Sequence, residues 1–207
     1  GMGVGKLGLS KRPTDMPTKQ AAAAVGQCEL MYTYDRLFSE YNHTVAQILL
    51  TASDVKNEHR HENFKNTLNR LIELGVLPVI NENDTIATEE IAVGDNDTLA
   101  AIVAESADAD LLVLLSDIDG LYTSDPHKDE SAVLIPTVSE LTEEILALGG
   151  EKGSDLGTGG MKTKLSAAVI ATEAGCDMII ANGADPKILY DIFDNKSVGT
   201  RFLGKKQ

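Results

Sequence analysis

The stretch DLLVLLSD, from Asp110 to Asp117, is an almost continuous apolar run. Its five central residues, Leu111 to Leu115, show no alternation of polar and apolar side chains, and the run is short enough for one strand. Such a strand is typical of a position covered on both faces. Strands of this kind form mainly parallel sheets with helices packed on each side. The stretch therefore favours an α/β fold.

Strand-like and helix-like patterns alternate on both sides of this run. Upstream they predict a helix over about 15–40, a strand at 44–51, a helix ending at Gly75, a strand at 76–80 and a helix over 98–109. Downstream they predict a helix from about Met161, a strand at 176–183 and a helix at 184–193. We therefore predict an α/β fold with a mostly parallel central sheet, in which ligands bind beyond the carboxyl ends of the strands.

The composition excludes several classes of partner. The 207 residues include 18 Lys plus Arg and 32 Asp plus Glu, for a net charge of −14. This charge repels nucleic acid and anionic membrane surfaces, and no apolar stretch reaches the length of about 18 residues that a membrane span needs. Cys28 and Cys176 lack metal-ligand spacing, so we expect two reduced, buried cysteines in a cytoplasmic protein.

The sequence contains two clusters of carboxylate and amide side chains. They are Asn81-Glu82-Asn83-Asp84, directly after the strand at 76–80, and Gly94-Asp95-Asn96-Asp97, directly before a helix. Turn formation explains the first cluster equally well, and helix capping by one residue explains part of the second. A hairpin over 86–93 would bring both clusters to one small cavity. That cavity would suit an ammonium group, a divalent ion or a cationic side chain.

A glycine-rich loop, Gly157 to Lys164, runs into the predicted helix at 161. Glycines let backbone amides approach a ligand closely, and a helix N-terminus carries partial positive charge, so the pattern is that of a phosphate cradle. Lys162 and Lys164 lie in the first turn, where the helix dipole disfavours cations unless an anion binds; plain surface lysines are the alternative. The strand end Ser116-Asp117 leads into a turn-rich loop that either binds a ligand or only turns the chain.

The sequence lacks the motifs of several other kinds of active site, which favours phosphoryl transfer. His59 and His61 fall on different faces of one predicted helix, so a zinc pair is not expected. The sequence contains neither a Walker A motif nor a nucleophile elbow. Positioning and charge neutralisation are what phosphoryl transfer requires of a protein.

Five segments together closely resemble the glutamate 5-kinase family of the amino acid kinase superfamily. They are KQAAAAVGQ (19–27), NEND (81–84), VGDNDTLAA (93–101), SDIDGLYTSDP (116–126) and GTGGMKTK (157–164). The resemblance implies an αβα sandwich that phosphorylates the side-chain carboxylate of L-glutamate with ATP and Mg²⁺, giving glutamyl 5-phosphate, the first step of proline biosynthesis. It also implies feedback inhibition by proline and a homo-oligomer.

The resemblance assigns the acidic clusters to the substrate. Asp84 and Asn96 resemble the family's glutamate ligands, and Asn81 and Asp95 line the same pocket. Asp97 resembles the residue that orients the catalytic lysines.

The resemblance assigns the third strand end and the glycine-rich loop to the nucleotide. Ser116 and Asp117 match the family's nucleotide-contacting pair, with Ser where many members have Thr. The nucleotide loop corresponds to Thr158, Gly159, Gly160, Met161, Lys162, Thr163 and Lys164. Among these, Lys164 is the cation that would neutralise charge on the transferring phosphoryl group.

The chain departs from the family at its start. Members begin with a strand bearing a Lys-x-Gly phosphate site and continue to a Ser-Gly-Ala turn. We therefore expect residues 1–207 to be a kinase domain without its N-terminal strand and first phosphate loop, and without the C-terminal RNA-binding-like domain of some members. Two alternatives stay open: a relative acting on N-acetylglutamate, carbamate or a nucleoside monophosphate, and a non-catalytic sensor of glutamate or proline.

Overall fold

The computed structural model describes residues 2–87, 94–150 and 160–206. The chain divides into two compact units, the first at residues 1–96 and the second at residues 97–207. Within the described residues, no helix combines the length and the apolar character that a membrane crossing requires.

The first unit is built on two parallel strands. Its elements are α1 (Met2–Lys6), α2 (Met16–Ser39), β1 (Val45–Leu50), α3 (Ala52–Lys56), α4 (Glu58–Glu73) and β2 (Leu77–Glu82). β1 and β2 pair in parallel from Val45↔Leu77 to Leu50↔Glu82. β2 therefore runs two residues beyond the predicted strand and carries Asn81 and Glu82 within it. The predicted helices at 15–40 and up to Gly75 are confirmed.

The long helix α2 starts at a capping residue. The Asp15 carboxylate accepts a hydrogen bond from the Thr18 amide at 2.9 Å, which satisfies one of the unpaired amides of the first turn. The buried residue of α2 is Ala22, which packs against Gly3 of α1. The expected burial of Cys28 is wrong, because its side chain lies on an exposed part of α2.

The second unit contains a four-stranded mixed sheet in the order β3-β5-β6-β4. Its elements are α5 (Asn96–Ser106), β3 (Leu111–Ser116), β4 (Thr137–Val138), α6 (Glu143–Ala147), α7 (Gly160–Glu173), β5 (Asp177–Asn182), α8 (Ile188–Phe193) and β6 (Thr200–Phe202). β3 pairs with β5 in parallel, β4 pairs with β6 in parallel, and β5 and β6 are antiparallel. The α/β class is confirmed. Sequence patterns missed β4 and β6, because runs of two and three residues show no periodicity.

β5 is the strand that is covered on both faces. Met178 and Ile180 pack into the cluster that contains residues of α5 and α7, and Ile179 and Ala181 pack with Ile192 of α8. All four residues are at most 4% exposed. The neighbouring strand β3 is covered less completely than its apolar sequence predicts, because Leu115 is 44% exposed. The buried Cys176 directly precedes β5, as expected.

Gly199 and Gly175 provide a matched test of this packing. Both have a left-handed backbone, with φ of 63° and 83°. A Cβ at Gly199 would lie 2.0 Å from the Ile180 carbonyl oxygen of β5, whereas at Gly175 the nearest atom is 3.4 Å away. Gly175→Ala should cost about 1–2 kcal/mol of unfolding free energy for the backbone conformation. Gly199→Ala should cost roughly 3 kcal/mol or more, because the clash adds to that term. Urea denaturation of both variants measures the difference, and equal losses would contradict the packing.

Candidate active site

Asp97 in the first turn of α5 and Lys164, the fifth residue of α7, form an ion pair. Lys164 Nζ of α7 lies 3.0 Å from Asp97 Oδ2 of α5. The Thr163 hydroxyl donates a hydrogen bond to the same oxygen at 2.7 Å. The two charged side chains are 12% and 21% exposed, so solvent screens their interaction only weakly. The structure thus brings Asp97 to Lys164, as the resemblance implied, together with Thr163 of the predicted nucleotide loop.

The two lysines near the start of α7 differ in their surroundings. Lys162 is exposed, whereas Lys164 is largely buried against Asp97. The N-terminus of a helix disfavours a cation, so a partly buried lysine at this point needs a carboxylate partner, and Asp97 supplies it. An ammonium group carries three N–H donors, and the pair with Asp97 uses one of them. Lys164 is therefore held in place by its carboxylate partner while it still presents positive charge.

The ends of β3 and β5 place a second polar group in the same unit. Ser116 and Asn182 are register partners at the carboxyl ends of the two strands. The Ser116 hydroxyl donates to Asp117 Oδ1 at 3.1 Å, and Asn182 Nδ2 donates to Asp119 Oδ1 at 2.8 Å. In parallel sheets this edge is where ligands bind. Ser116 and Asp117 thus lie at the carboxyl end of β3, and their contact with a nucleotide stays a prediction.

Tyr122 belongs to this polar group. Its hydroxyl donates to Asp119 Oδ2 at 3.1 Å. This hydrogen bond, with smaller contributions from burial and from the negative charge of Asp119, raises the pKa of Tyr122 above its ordinary value. Tyr122 therefore stays a neutral donor at physiological pH.

The first unit contains a small pocket next to the end of β2. Its lining residues in the described part of the chain are Ala23, Gln27, Leu49, Glu82, Asp84 and Thr85. Asp84, predicted as a glutamate ligand, lies in the turn that follows β2 and is exposed. Asn81 Nδ2 donates to Gln27 Oε1 at 3.2 Å, which ties the end of β2 to α2. Asp84 thus lines the pocket directly, and Asn81 contacts the lining residue Gln27.

The other predicted residues are only partly described. Asp95 is half-buried, and Asn96 is the exposed first residue of α5. Gly160 and Met161 open α7. Thr158 and Gly159 lie outside the described residues, as does most of the predicted hairpin at 86–93. That both acidic clusters face one cavity therefore stays a prediction.

A metal cage is not found in the described ranges 2–87, 94–150 and 160–206, where no group of three or more His, Cys, Asp or Glu side chains could hold an ion. His59 and His61 both lie on α4, as the sequence predicted.

Comparisons with known proteins identify the family. A model of the amino acid kinase family matches residues 4–182. The glutamate 5-kinase of Clostridium tetani is 54% identical over 202 residues, which cover 98% of this chain and 76% of that protein. The glutamate 5-kinase of Clostridium acetobutylicum is 52% identical over 207 residues, covering 100% of this chain and 78% of that protein. The chain belongs to the glutamate 5-kinase family.

The comparison with solved structures concerns the fold. A crystal structure of the T. acidophilum isopentenyl phosphate kinase product complex superposes with a TM-score of 0.63 at 20% identity. The match covers 97% of this chain and 78% of that one. At this identity the likeness shows a shared fold. The glutamate 5-kinase family is thus assigned by the sequence relatives, and the α/β architecture by the solved structure.

Sequence reasoning missed two groups of residues near these sites. Asn182 ends an apolar strand, so the rule that selected Ser116 and Asp117 could have selected it and its partner Asp119. Gln27 ends the segment KQAAAAVGQ that contributes to the family resemblance, but the resemblance gave it no role, and its partner Asn81 lies 54 residues later in the chain. Only the folded chain brings Gln27 to the pocket of this glutamate 5-kinase family member.

The Asp97–Lys164 pair is expected to couple more strongly than a surface pair. A double-mutant cycle with Asp97→Asn and Lys164→Met, measured by urea denaturation, should give a coupling energy of roughly 1–3 kcal/mol. The control is the cycle Glu173→Gln and Lys205→Met, because that pair is 57% and 64% exposed. It should give about 0.2–1 kcal/mol. Similar energies for the two pairs would show that Asp97 does not hold Lys164.

Proposed function

We propose that this chain transfers the γ-phosphoryl group of ATP to the side-chain carboxylate of L-glutamate, giving glutamyl 5-phosphate and ADP in the first step of proline biosynthesis. Membership of the glutamate 5-kinase family supports the substrate and the reaction. The observation that carries the mechanism is the largely buried Asp97–Lys164 ion pair.

Lys164 acts as the cation of the transfer step. A carboxylate oxygen of glutamate attacks the γ-phosphorus, the bond to the bridging oxygen of ADP breaks, and negative charge spreads over the phosphoryl oxygens. A fixed ammonium group stabilises that charge best when it needs no reorganisation during the reaction. The Thr163 hydroxyl and the Lys164 ammonium group both donate to Oδ2 of Asp97, which holds the side chain of Lys164 in place.

The nucleotide is assigned to the second unit. The first turn of α7 offers the amides of Gly160, Met161 and Lys162 to phosphate oxygens, and Thr158 and Gly159 precede it in the chain. Ser116 and Asp117 at the end of β3 supply a hydroxyl and a carboxylate for further nucleotide contacts.

Mg²⁺ enters with ATP in this proposal. Mg²⁺ is usually held by substrate phosphates together with one or two carboxylates, so it does not require a protein cage. Asp117, which directly follows β3, is the carboxylate that would accompany such an ion. When bound, the ion neutralises phosphate charge.

Glutamate is assigned to the first unit. Asp84 and Asp95 carry negative charge that suits the ammonium group of an unmodified amino acid, and Asn81 and Asn96 offer amide donors and acceptors. An N-acetylated amine would carry no charge for these carboxylates to bind. This difference favours glutamate over N-acetylglutamate. Proline inhibition, self-association and a cytoplasmic location stay predictions.

The test is ADP formation by the full-length protein with ATP and Mg²⁺. We expect turnover with L-glutamate and little with N-acetyl-L-glutamate, because the acetylated substrate loses the ammonium group. Lys164→Ala should lower kcat by about 100-fold or more, since a fixed cation is removed from the transition state.

The control is Lys196→Ala, which removes the same charge from an exposed pair with Asp191 and should leave kcat unchanged. Glutamate binding by calorimetry without any ADP formation would support a sensor instead. A preference for N-acetyl-L-glutamate would reverse the choice of substrate.

A further inference from the structure

Only the oxygen of the Gln27 side-chain amide forms a hydrogen bond with the described residues. Its Oε1 accepts a hydrogen bond from Asn81 Nδ2 at 3.2 Å. Its Nε2 is buried, and no hydrogen-bond partner for that atom lies among the described residues. A buried N–H donor without a partner is uncommon and costs about 1–3 kcal/mol. The orientation of this amide is nonetheless fixed, because Asn81 holds the oxygen end.

The amide belongs to a pocket that also contains negative charge. Gln27 lines the pocket next to the end of β2, together with Glu82, Asp84 and Thr85. The Thr85 hydroxyl is bound to Asn83 Oδ1. Gln27 Nε2 is therefore a donor without an acceptor, on a residue that lines a pocket whose carboxylates suit a cation.

We propose that Gln27 Nε2 donates a hydrogen bond to the α-carboxylate of the amino acid substrate. The proposal rests on the proposed function, which gives the ammonium group to Asp84. The ammonium and the α-carboxylate are attached to the same carbon atom, so a pocket that binds one must provide for the other. A carboxylate near Glu82 and Asp84 is disfavoured unless a donor compensates the repulsion. Gln27 is that donor, and it binds the end of the substrate that does not react.

This assignment changes the role of Asn81. Its amide is directed to Gln27, so it acts on the substrate through the orientation of the Gln27 side chain. Gln27 is thereby a specificity residue for a free α-carboxylate, and Asn81 is its positioning residue.

The test replaces the donor by an acceptor of the same shape. Gln27→Glu presents a carboxylate to the α-carboxylate of glutamate, so KM for L-glutamate should rise about 10- to 100-fold, while KM for ATP stays within about twofold. L-glutamic acid α-amide carries N–H donors at that position. The ratio of kcat/KM for the α-amide to that for glutamate should therefore increase in Gln27→Glu.

Two further variants serve as a control for the added charge and as a second test of the donor. Gln47→Glu makes the same change at an exposed residue of β1 and should leave both KM values unchanged. Gln27→Met removes the donor without adding charge, and it should raise KM for glutamate by a smaller factor. It also provides a second measurement where Gln27→Glu folds poorly.

The outcomes separate this proposal from the proposed function. A wild-type protein that forms no ADP with glutamate contradicts the proposed function. A wild-type protein that does so, with KM for glutamate and the α-amide ratio unchanged in both Gln27 variants, contradicts the role of Gln27 alone.

Discussion

The ion pair between Asp97 and Lys164 is the constraint on which this account depends. It joins the first turn of α5, where the helix dipole favours the carboxylate, to the second turn of α7. Burial strengthens the attraction between them, and Thr163 adds a hydrogen bond to the same oxygen. The core of the second unit, with β5 covered by α5 and α7 on one face, keeps the two helices in place. The ammonium group of Lys164 is therefore a positive charge held in a fixed position in an acidic protein.

The distribution of charge in the structure explains how an acidic protein can bind anionic substrates. A net charge of −14 repels anions, yet ATP and glutamate are anions. The second unit offers local positive potential at the start of α7, with Lys164 largely buried and Lys162 at the surface. The pocket of the first unit combines Glu82 and Asp84 with the amide of Gln27, a combination suited to an amino acid that carries both an ammonium group and a carboxylate.

The sequence predicted the parts of the fold that repeat a pattern over many residues, such as α2, α4, α7 and the buried strand β5. It missed β6, which pairs antiparallel with β5 and depends on contacts that are distant in sequence, such as the bond from the Leu121 amide to the Thr200 hydroxyl. The candidate sites show the same difference between local sequence motifs and contacts that form only on folding. The family resemblance assigned roles to Asp97 and Lys164, but the role of Gln27 could be recognised only after folding placed it beside Asn81. Cys28 was expected inside as a reduced cysteine without metal-ligand spacing, whereas its side chain on α2 is exposed.

The most direct measurement is kcat for Asp97→Asn, Lys164→Ala and the double variant with L-glutamate and ATP. If Asp97 acts by holding Lys164, removing Asp97 costs little once the lysine is absent, so the double variant should be as slow as Lys164→Ala within about twofold. If the two losses multiply in the double variant, Asp97 and Lys164 act independently, and the central claim is contradicted.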